Sequence, residues 1–489
     1  MISIKQDAAT FFQGIVKKIP LDWQGIQLAN LCFDSREVKA GDLFVAMPSV
    51  AGNEKTYIET AIKNGAAFIF TEKEQKILSV PCVCMEGLTQ IIGDLLHALL
   101  GNSSQKMNVI GITGTNGKSS ISFYLAQLLN ELKQPCAVMG TLGYGNWQAL
   151  TTTGMTTIPV EKLHPVMAKL NESYSAIAME VSSHGLEQNR LAGVHFKGAV
   201  FCNLSRDHLD YHGTMEAYGA EKAKLFTRPN LEFSIINIDD EYSQTLLQKI
   251  KCKTLITYGQ SPAANLRLEF KSIDAQGMRV EFFWQGLSLS AHLPLYGEFN
   301  ASNVAAALAC LLAMGIDFKV AINSLKALEA VPGRMQQITA GQDKPLVLVD
   351  YAHTPDALEK ALQAVRAHSK GNISLVVGCG GDRDQGKRPL MAKIALQYAD
   401  KIVFTSDNPR TESPAKICQQ MVDALSAENY QIILDRKEAI ATAIKHAKAS
   451  DLVVIAGKGH EDYQEINGRR SYFSDVKEAE TALKWERKL

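Results

Sequence analysis

Between an apolar run at residues 108–112 and a stretch carrying Ile121, Tyr124, Leu125, Leu128, Leu129 and Leu132 at helical spacing lies Thr113-Gly114-Thr115-Asn116-Gly117-Lys118-Ser119. Strand, glycine turn and helix in that order form the setting in which backbone N–H groups and a helix N-terminus cradle phosphate. Glycines let the backbone approach the anion, Lys118 can reach the terminal phosphates, and the Ser119 hydroxyl is a hard oxygen donor for magnesium. Ile112 stands where a strict GxxxxGKS pattern has its first glycine. A glycine turn that merely caps a helix is the bland reading; the flanking strand, the helix and Gly-Lys-Ser favour ATP or GTP.

Carboxylates and imidazoles follow at the ends of later strands. Glu180 closes the apolar run 176–180, and the run 198–202 leads into a segment holding Asp207, His208, Asp210 and His212. Ligands gather at the carboxyl edge of a parallel sheet, and phosphoryl transfer needs divalent cations there. Taken alone, a Glu at a strand end is more often a solvated or capping residue, and a loop His more often hydrogen-bonded than metal-bound. Lys222, in the helical stretch 215–226, reads unaided as a solvated lysine.

The elements that must position these groups alternate along the chain. At about 150 residues per domain, 489 residues suggest roughly three domains. The first block, residues 1–104, has short strands at 43–46 and 67–70, a helix near 57–64, and a polar run at 101–106 that reads as a linker. The second, 105–332, adds strands at 176–181, 198–202 and 233–238, a mostly parallel sheet covered on both faces. The third, 333–489, alternates strands at 346–350, 373–377, 401–405 and 452–456 with helices at 356–367 and 389–398. The expected fold is α/β: a smaller N-terminal domain, a central P-loop ATPase domain and a C-terminal Rossmann-like domain. Gly378-Cys379-Gly380-Gly381 is not a full GxGxxG, so it carries little weight for dinucleotide binding.

Fifty-one Lys plus Arg balance fifty-one Asp plus Glu, which excludes a global polyanion-binding surface and argues against a nucleic-acid partner. The nine cysteines are scattered without zinc spacing, and no stretch approaches 18 uncharged apolar residues. With no apolar leader at residues 1–14, a cytoplasmic protein without membrane insertion is expected.

The strings Gly-Thr-Asn-Gly-Lys-Ser, Glu-Val-Ser-Ser-His-Gly-Leu, Asp-His-Leu-Asp-Tyr-His-Gly and Tyr-Gly-Glu-Phe-Asn-Ala-Ser-Asn-Val resemble the Mur ligase family. Val-Pro-Gly-Arg-Met, Asp-Tyr-Ala-His-Thr-Pro, Gly-Cys-Gly-Gly-Asp-Arg-Asp, Asp-Asn-Pro-Arg and Gly-Lys-Gly-His-Glu-Asp-Tyr-Gln look like its third-residue-adding branch, over residues 34–464. The resemblance implies a monomeric ATP-dependent ligase of peptidoglycan precursor synthesis that joins meso-diaminopimelate to UDP-N-acetylmuramoyl-L-alanyl-D-glutamate through an acyl phosphate. It implies Gly114, Thr115, Asn116, Gly117, Lys118 and Ser119 as the ATP turn, with Asn300 and Asn303 at adenine. Arg334 goes to the phosphates, and Asp350 and His353 to the same site. Ser119, Glu180 and His208 become magnesium ligands, joined by Lys222 as a carbamate formed with carbon dioxide; Lys224 faces elsewhere on the helix. Lys118, Lys222, His208 and Arg334 would be the catalytic set.

For the nucleotide sugar, the resemblance points to Ser35 within Asp34-Ser35-Arg36, to Gly41-Asp42-Leu43-Phe44, and to Thr152, Thr153, Ser182, Gln188 and Arg190. Residues 49–57 read SVAGNEKTY where relatives commonly carry Asp-Gly-His, so the contacts there are open. Amino-acid choice falls to Arg383, Asp407, Asn408, Pro409, Arg410, Gly457 and Glu461. Arg410 can hold a distal carboxylate bidentately, and an acceptor lacking one would leave it unpaired at roughly 1 to 3 kcal/mol. Lysine or glutamate as acceptor, or an ATPase that forms no bond, are the competing readings.

Overall fold

Strand Asn108–Thr113 is buried along most of its length, as a strand covered on both faces must be. In the computed structural model, which describes residues 1–48, 52–74, 79–341, 343–423, 425 and 429–484, it lies inside an eleven-stranded sheet. Its neighbours are Gly198–Phe201 and Ala176–Glu180, and beyond these come Phe233–Asn237 and Thr254–Gly259 on one side and Cys136–Gly140 on the other. Pairing is parallel from Cys136–Gly140 through Leu266–Asp274 where the registers are recorded, and antiparallel at both margins. The helices Lys118–Glu131 and Glu298–Ala313 pack together within its apolar core.

A second sheet runs Gln336–Ile338, Leu346–Asp350, Leu452–Ala456, Ile373–Val377, Lys401–Phe404, Tyr430–Ile432, parallel apart from the first pair. Its strands end at Asp350, Ala456, Val377 and Phe404, gathering the loops that follow at one edge, where ligands bind in open α/β sheets. A third sheet, Ile2–Asp7, Gln27–Cys32, Leu43–Ala46, Phe68–Thr71 and Cys82–Cys84, is parallel after its first pair. These three mostly parallel sheets with their helices bear out the expected α/β class.

By contacts the chain divides into two compact units, Met1–Val109 with Met155–Ser175 and Val181–Phe196, and Ile110–Gly154 with Ala176–Glu180 and Lys197–Leu489. In the first unit, helix Val160–Leu170 packs on helix Leu88–Leu99, and Val160 and Ala192 share an apolar cluster with Phe12, Trp23 and Phe68. Chain order gave no sign of this recruitment. The run 101–106 is not a linker: Ser103–Lys106 is a short helix with Ser103 and Ser104 buried. Its polarity misled because the Ser104 hydroxyl accepts the His195 N–H at 3.0 Å, satisfying in the interior what the sequence offers to water.

Candidate active site

The phosphate turn is tied down from the loop after Gly198–Phe201. Thr115 N–H donates to the Asn203 carbonyl and Asn116 N–H to Asn203 Oδ1, both at 2.9 Å, while Asn203 Nδ2 returns a bond to the Asn116 carbonyl at 3.1 Å. Gly117 has φ +87, and a Cβ there would stand 2.5 Å from Asn303 Oδ1, so a side chain is excluded both by conformation and by space. Asn303 donates to Asn300 Oδ1 at 3.2 Å, and Asn300 donates to the Tyr296 carbonyl at 2.8 Å. The helix Glu298–Ala313 thus lays both expected asparagines beside the turn.

Two lysines converge on one carbonyl. Lys118 Nζ donates to the Gly114 oxygen at 2.9 Å and the Thr115 oxygen at 2.8 Å, and Lys222 Nζ donates to the same Gly114 oxygen at 2.9 Å. Lys222 is 2% exposed, which overturns its unaided reading as a solvated lysine. Its ammonium lies 4.2 Å from the Tyr218 ring, and the Tyr218 hydroxyl is 3.3 Å from Thr115 Oγ1. Burial drives the Lys222 amine well below its ordinary range, and the Lys118 charge pushes it further. Lys118 is lowered too, by burial first, with Glu180 opposing.

Glu180 is buried and accepts from the Thr141 N–H and hydroxyl, each at 3.0 Å; Gly140 beside it has no room for a side chain against that carboxylate. Its expected solvated alternative is therefore wrong. Ser119 is buried, whereas His208 is exposed, at φ +53, with Nε2 3.4 Å from Asp207 Oδ2. Among the described residues no three His, Cys, Asp or Glu side chains are grouped to hold a metal. Any cation here would rest on mixed oxygen donors.

Arg334 reaches the same field from the turn before Gln336–Ile338. Its guanidinium lies 4.7 Å from the Tyr351 ring, and Nε is a buried donor without an acceptor among the described residues. Asp350 shapes that turn, accepting Met335 N–H at 2.8 Å and Ala352 N–H at 2.9 Å; burial raises its carboxyl and Arg334 works against the rise. His353 is exposed, its Nδ1 2.8 Å from the Tyr351 oxygen.

At the edge of the second sheet, Asn408 donates to Glu461 at 2.9 Å, and buried Lys458 donates to Asn408 Oδ1 at 3.1 Å and to Glu461 at 3.2 Å. Asp407 faces Gly457 closely enough to exclude a Cβ, and Pro409 is buried. Arg410 adopts φ +51, held by Glu465 and Asn467 backbone bonds, and donates Nη1 to the Gly381 oxygen at 2.7 Å. A left-handed arginine is costly, and such residues persist where surrounding structure holds them, often at binding sites. Arg383 is exposed on the neighbouring loop.

In the first unit, Ser182 caps helix Ser183–Glu187, and its hydroxyl donates to Thr157 Oγ1 at 3.0 Å. Arg190 bonds Gln188 Oε1 at 2.7 and 3.0 Å and the Thr157 oxygen at 2.7 Å, so Ser182, Gln188 and Arg190 meet around Thr157. Ser35 is buried in a turn where Arg36 pairs with Asp34 and holds its carboxyl at about 2. Thr152, exposed, and Thr153, half-buried, belong to the second unit. Residues 49–51 of the divergent stretch lie outside the described residues.

Residues 112–311 match the Mur ligase middle domain and 333–459 the Mur ligase glutamate ligase domain. A UDP-N-acetylmuramoyl-L-alanyl-D-glutamate--2,6-diaminopimelate ligase from Pseudomonas syringae is 44% identical, covering 93% of this chain and 95% of its own. The chain belongs to the Mur ligase family. A Coxiella burnetii protein of the same name is 43% identical over 92% of this chain and 94% of its own. A solved structure with that name, 36% identical and covering 98% of this chain and 99% of its own, superposes with TM-score 0.75. A MurF from Thermotoga maritima in complex with ADP shares the fold at 19% identity, 87% and 93% coverage and TM-score 0.61.

Within this Mur ligase, sequence reasoning passed over Asn203 as a clamp, Tyr218 and Lys458. Tyr218 precedes Lys222 by one helical turn, a spacing that could have paired them. Lys458, inside the string Gly-Lys-Gly-His-Glu-Asp-Tyr-Gln, was given no role of its own, yet it is fully buried.

Proposed function

We propose that this chain uses ATP to join 2,6-diaminopimelate to the D-glutamate of UDP-N-acetylmuramoyl-L-alanyl-D-glutamate, as a cytoplasmic monomer in peptidoglycan precursor synthesis. The observation that carries the reading is the convergence of Lys118 and Lys222 on the Gly114 carbonyl, with the unpartnered Nε of Arg334 belonging to the same body. Two lysines set on a glycine turn and an orphaned guanidinium donor in the same unit call for a polyanion.

Ser119 and Glu180 supply the hard oxygens that magnesium prefers, with His208 at the rim. The depressed Lys222 amine supplies a neutral nitrogen lone pair. It would add to carbon dioxide with loss of a proton, becoming a carbamate whose negative charge would offset the Lys118 ammonium and whose oxygens would be further donors. Bound magnesium would neutralise charge developing on the transferred phosphoryl group.

A carboxylate oxygen of the D-glutamate attacks the γ-phosphorus and ADP leaves, giving an acyl phosphate. Lys118 and Arg334 hold the phosphate oxygens. The amine then attacks the acyl carbon, a proton is lost, and phosphate departs as the amide forms. Arg410 and Arg383 hold the carboxylates of the amino acid, and Glu461, steadied by Asn408 and Lys458, receives its ammonium group. Positioning of the two partners supplies much of the rate.

The test is the product mass after incubation with ATP, magnesium, the UDP-dipeptide and a mixture of amino acids. The diaminopimelate adduct is expected; a lysine or glutamate adduct would move the acceptor, and hydrolysis of ATP without any adduct would defeat the ligase reading.

A further inference from the structure

His368 ends helix Pro355–His368 in the third block, yet it bonds to two segments of the second. Its Nδ1 lies 2.8 Å from the Asp274 carbonyl, and the Gly297 N–H donates to its Nε2 at 2.9 Å. A carbonyl can only accept and an amide N–H can only donate, so the ring is neutral with its proton on Nδ1. The side chain is 3% exposed, its ring centroid 4.5 Å from that of Tyr296, whose hydroxyl donates to the Ala275 oxygen at 2.5 Å. Burial lowers the imidazole from its ordinary value, with Asp274 and Glu298 opposing.

What His368 grips is the start of the helix that carries the asparagines. Asn300 N–H donates to the Gly297 oxygen and Asn300 Nδ2 to the Tyr296 oxygen, each at 2.8 Å. Asn303 in turn bonds Asn300 and stands against Gly117 in the phosphate turn. Helix Pro355–His368 itself begins just beyond Asp350 and His353. One helix of the amino-acid-binding body therefore starts beside the Arg334 turn and ends under the Asn300 segment.

We propose that His368 is a positioning residue: a neutral imidazole whose Nε2 fixes the Gly297 N–H, and with it the Asn300–Asn303 pair, so that the nucleotide site is complete only when the third block is docked on the second. The proposal rests on the reading of the turn as a nucleotide site. The bond to Gly297 is the operative one, because the Gly297 oxygen and its neighbour, that of Tyr296, are the acceptors of Asn300. The Asp274 bond sets the tautomer.

The experiment compares full-length His368→Phe, His368→Gln and His368→Asn by calorimetric titration with magnesium-ADP and, separately, with UDP-N-acetylmuramoyl-L-alanyl-D-glutamate. Phe keeps the volume and loses both bonds; Gln can restore an acceptor for Gly297, and Asn a donor for Asp274. The expected result is ADP binding about tenfold weaker in Phe and Asn, the cost of one unpaired buried donor, with Gln near wild type. UDP-dipeptide affinity stays within about twofold throughout, a change too small to signal a lost bond. Equal ADP affinity in all variants, or equal loss of both ligands, overturns the positioning role. Should the Phe variant not fold, Gln must still bind ADP several-fold more tightly than Asn, and parity between them overturns it. A wild-type chain that binds no ADP would instead overturn the nucleotide reading, and the pin with it.

Discussion

Lys222 and Arg410 divide the chemistry between them. Lys222 shares the Gly114 carbonyl with Lys118, so Lys222→Ala is expected to lower acyl-phosphate formation by about 100-fold, the scale of losing one preorganised electrostatic group. Arg410→Ala should leave that half-reaction intact and raise the KM for diaminopimelate by about 10- to 100-fold. Hydroxylamine trapping of the acyl phosphate beside steady-state kinetics separates them; equal loss of both steps in Arg410→Ala would make that residue structural. The phosphate turn was legible in sequence because glycines and Gly-Lys-Ser are local in the chain. The depth of Lys222 was not, since a helix lysine shows its burial only through what the tertiary fold puts over it. Lys458 escaped for the same reason, its partners Asn408 and Glu461 being set by the sheet edge.

Beneath that edge, helix Asp475–Leu483 supplies its first residue to an ion pair that no solvent reaches. Arg436 Nε and Nη2 donate to the two Asp475 oxygens at 2.7 Å, and Nη2 also bonds the Ala456 carbonyl at 3.0 Å, one residue before Gly457. Asp475→Ala leaves a buried guanidinium uncompensated, so urea unfolding should show about 3–5 kcal/mol less stability. A loss under about 1 kcal/mol would mean that water enters, the behaviour of an exposed pair. At this scale the parallel strands were readable, 346–350, 373–377 and 452–456 with their observed bounds, because doubly covered strands are apolar throughout. Helix Glu298–Ala313 was not, since Ala-Ala-Ala-Leu-Ala-Cys-Leu is buried on all sides and has no period to read. Strands Leu266–Asp274 and Gly277–Trp284 hid for the opposite reason, being interrupted by charged residues, and Leu287–Leu293 because it is largely exposed.

In both units, burial holds particular histidines neutral. His97 in the first unit and His460 in the second are each held at about 4, below an ordinary 6.5, by burial. A depressed histidine takes up its proton on unfolding, so its contribution is full above the unfolded value and is lost as pH falls from 6.5 towards 4. Each should cost about 1.4 kcal/mol per pH unit in that window. Denaturant midpoints that stay flat there would show both rings protonated in the folded state. Composition and neutral charge set the globular class, and the family strings set the chemistry, but the recruitment of residues 155–175 and 181–196 to the first unit depends on packing that chain order conceals.

The central claim is that an inert acid becomes a phosphoric anhydride before an amine takes it. Labelling the D-glutamate γ-carboxylate of the UDP-dipeptide with heavy oxygen and analysing the phosphate released in the presence of ATP and diaminopimelate tests it directly. The account predicts one labelled oxygen in each phosphate formed; phosphate that carries no label while the amide accumulates would contradict it.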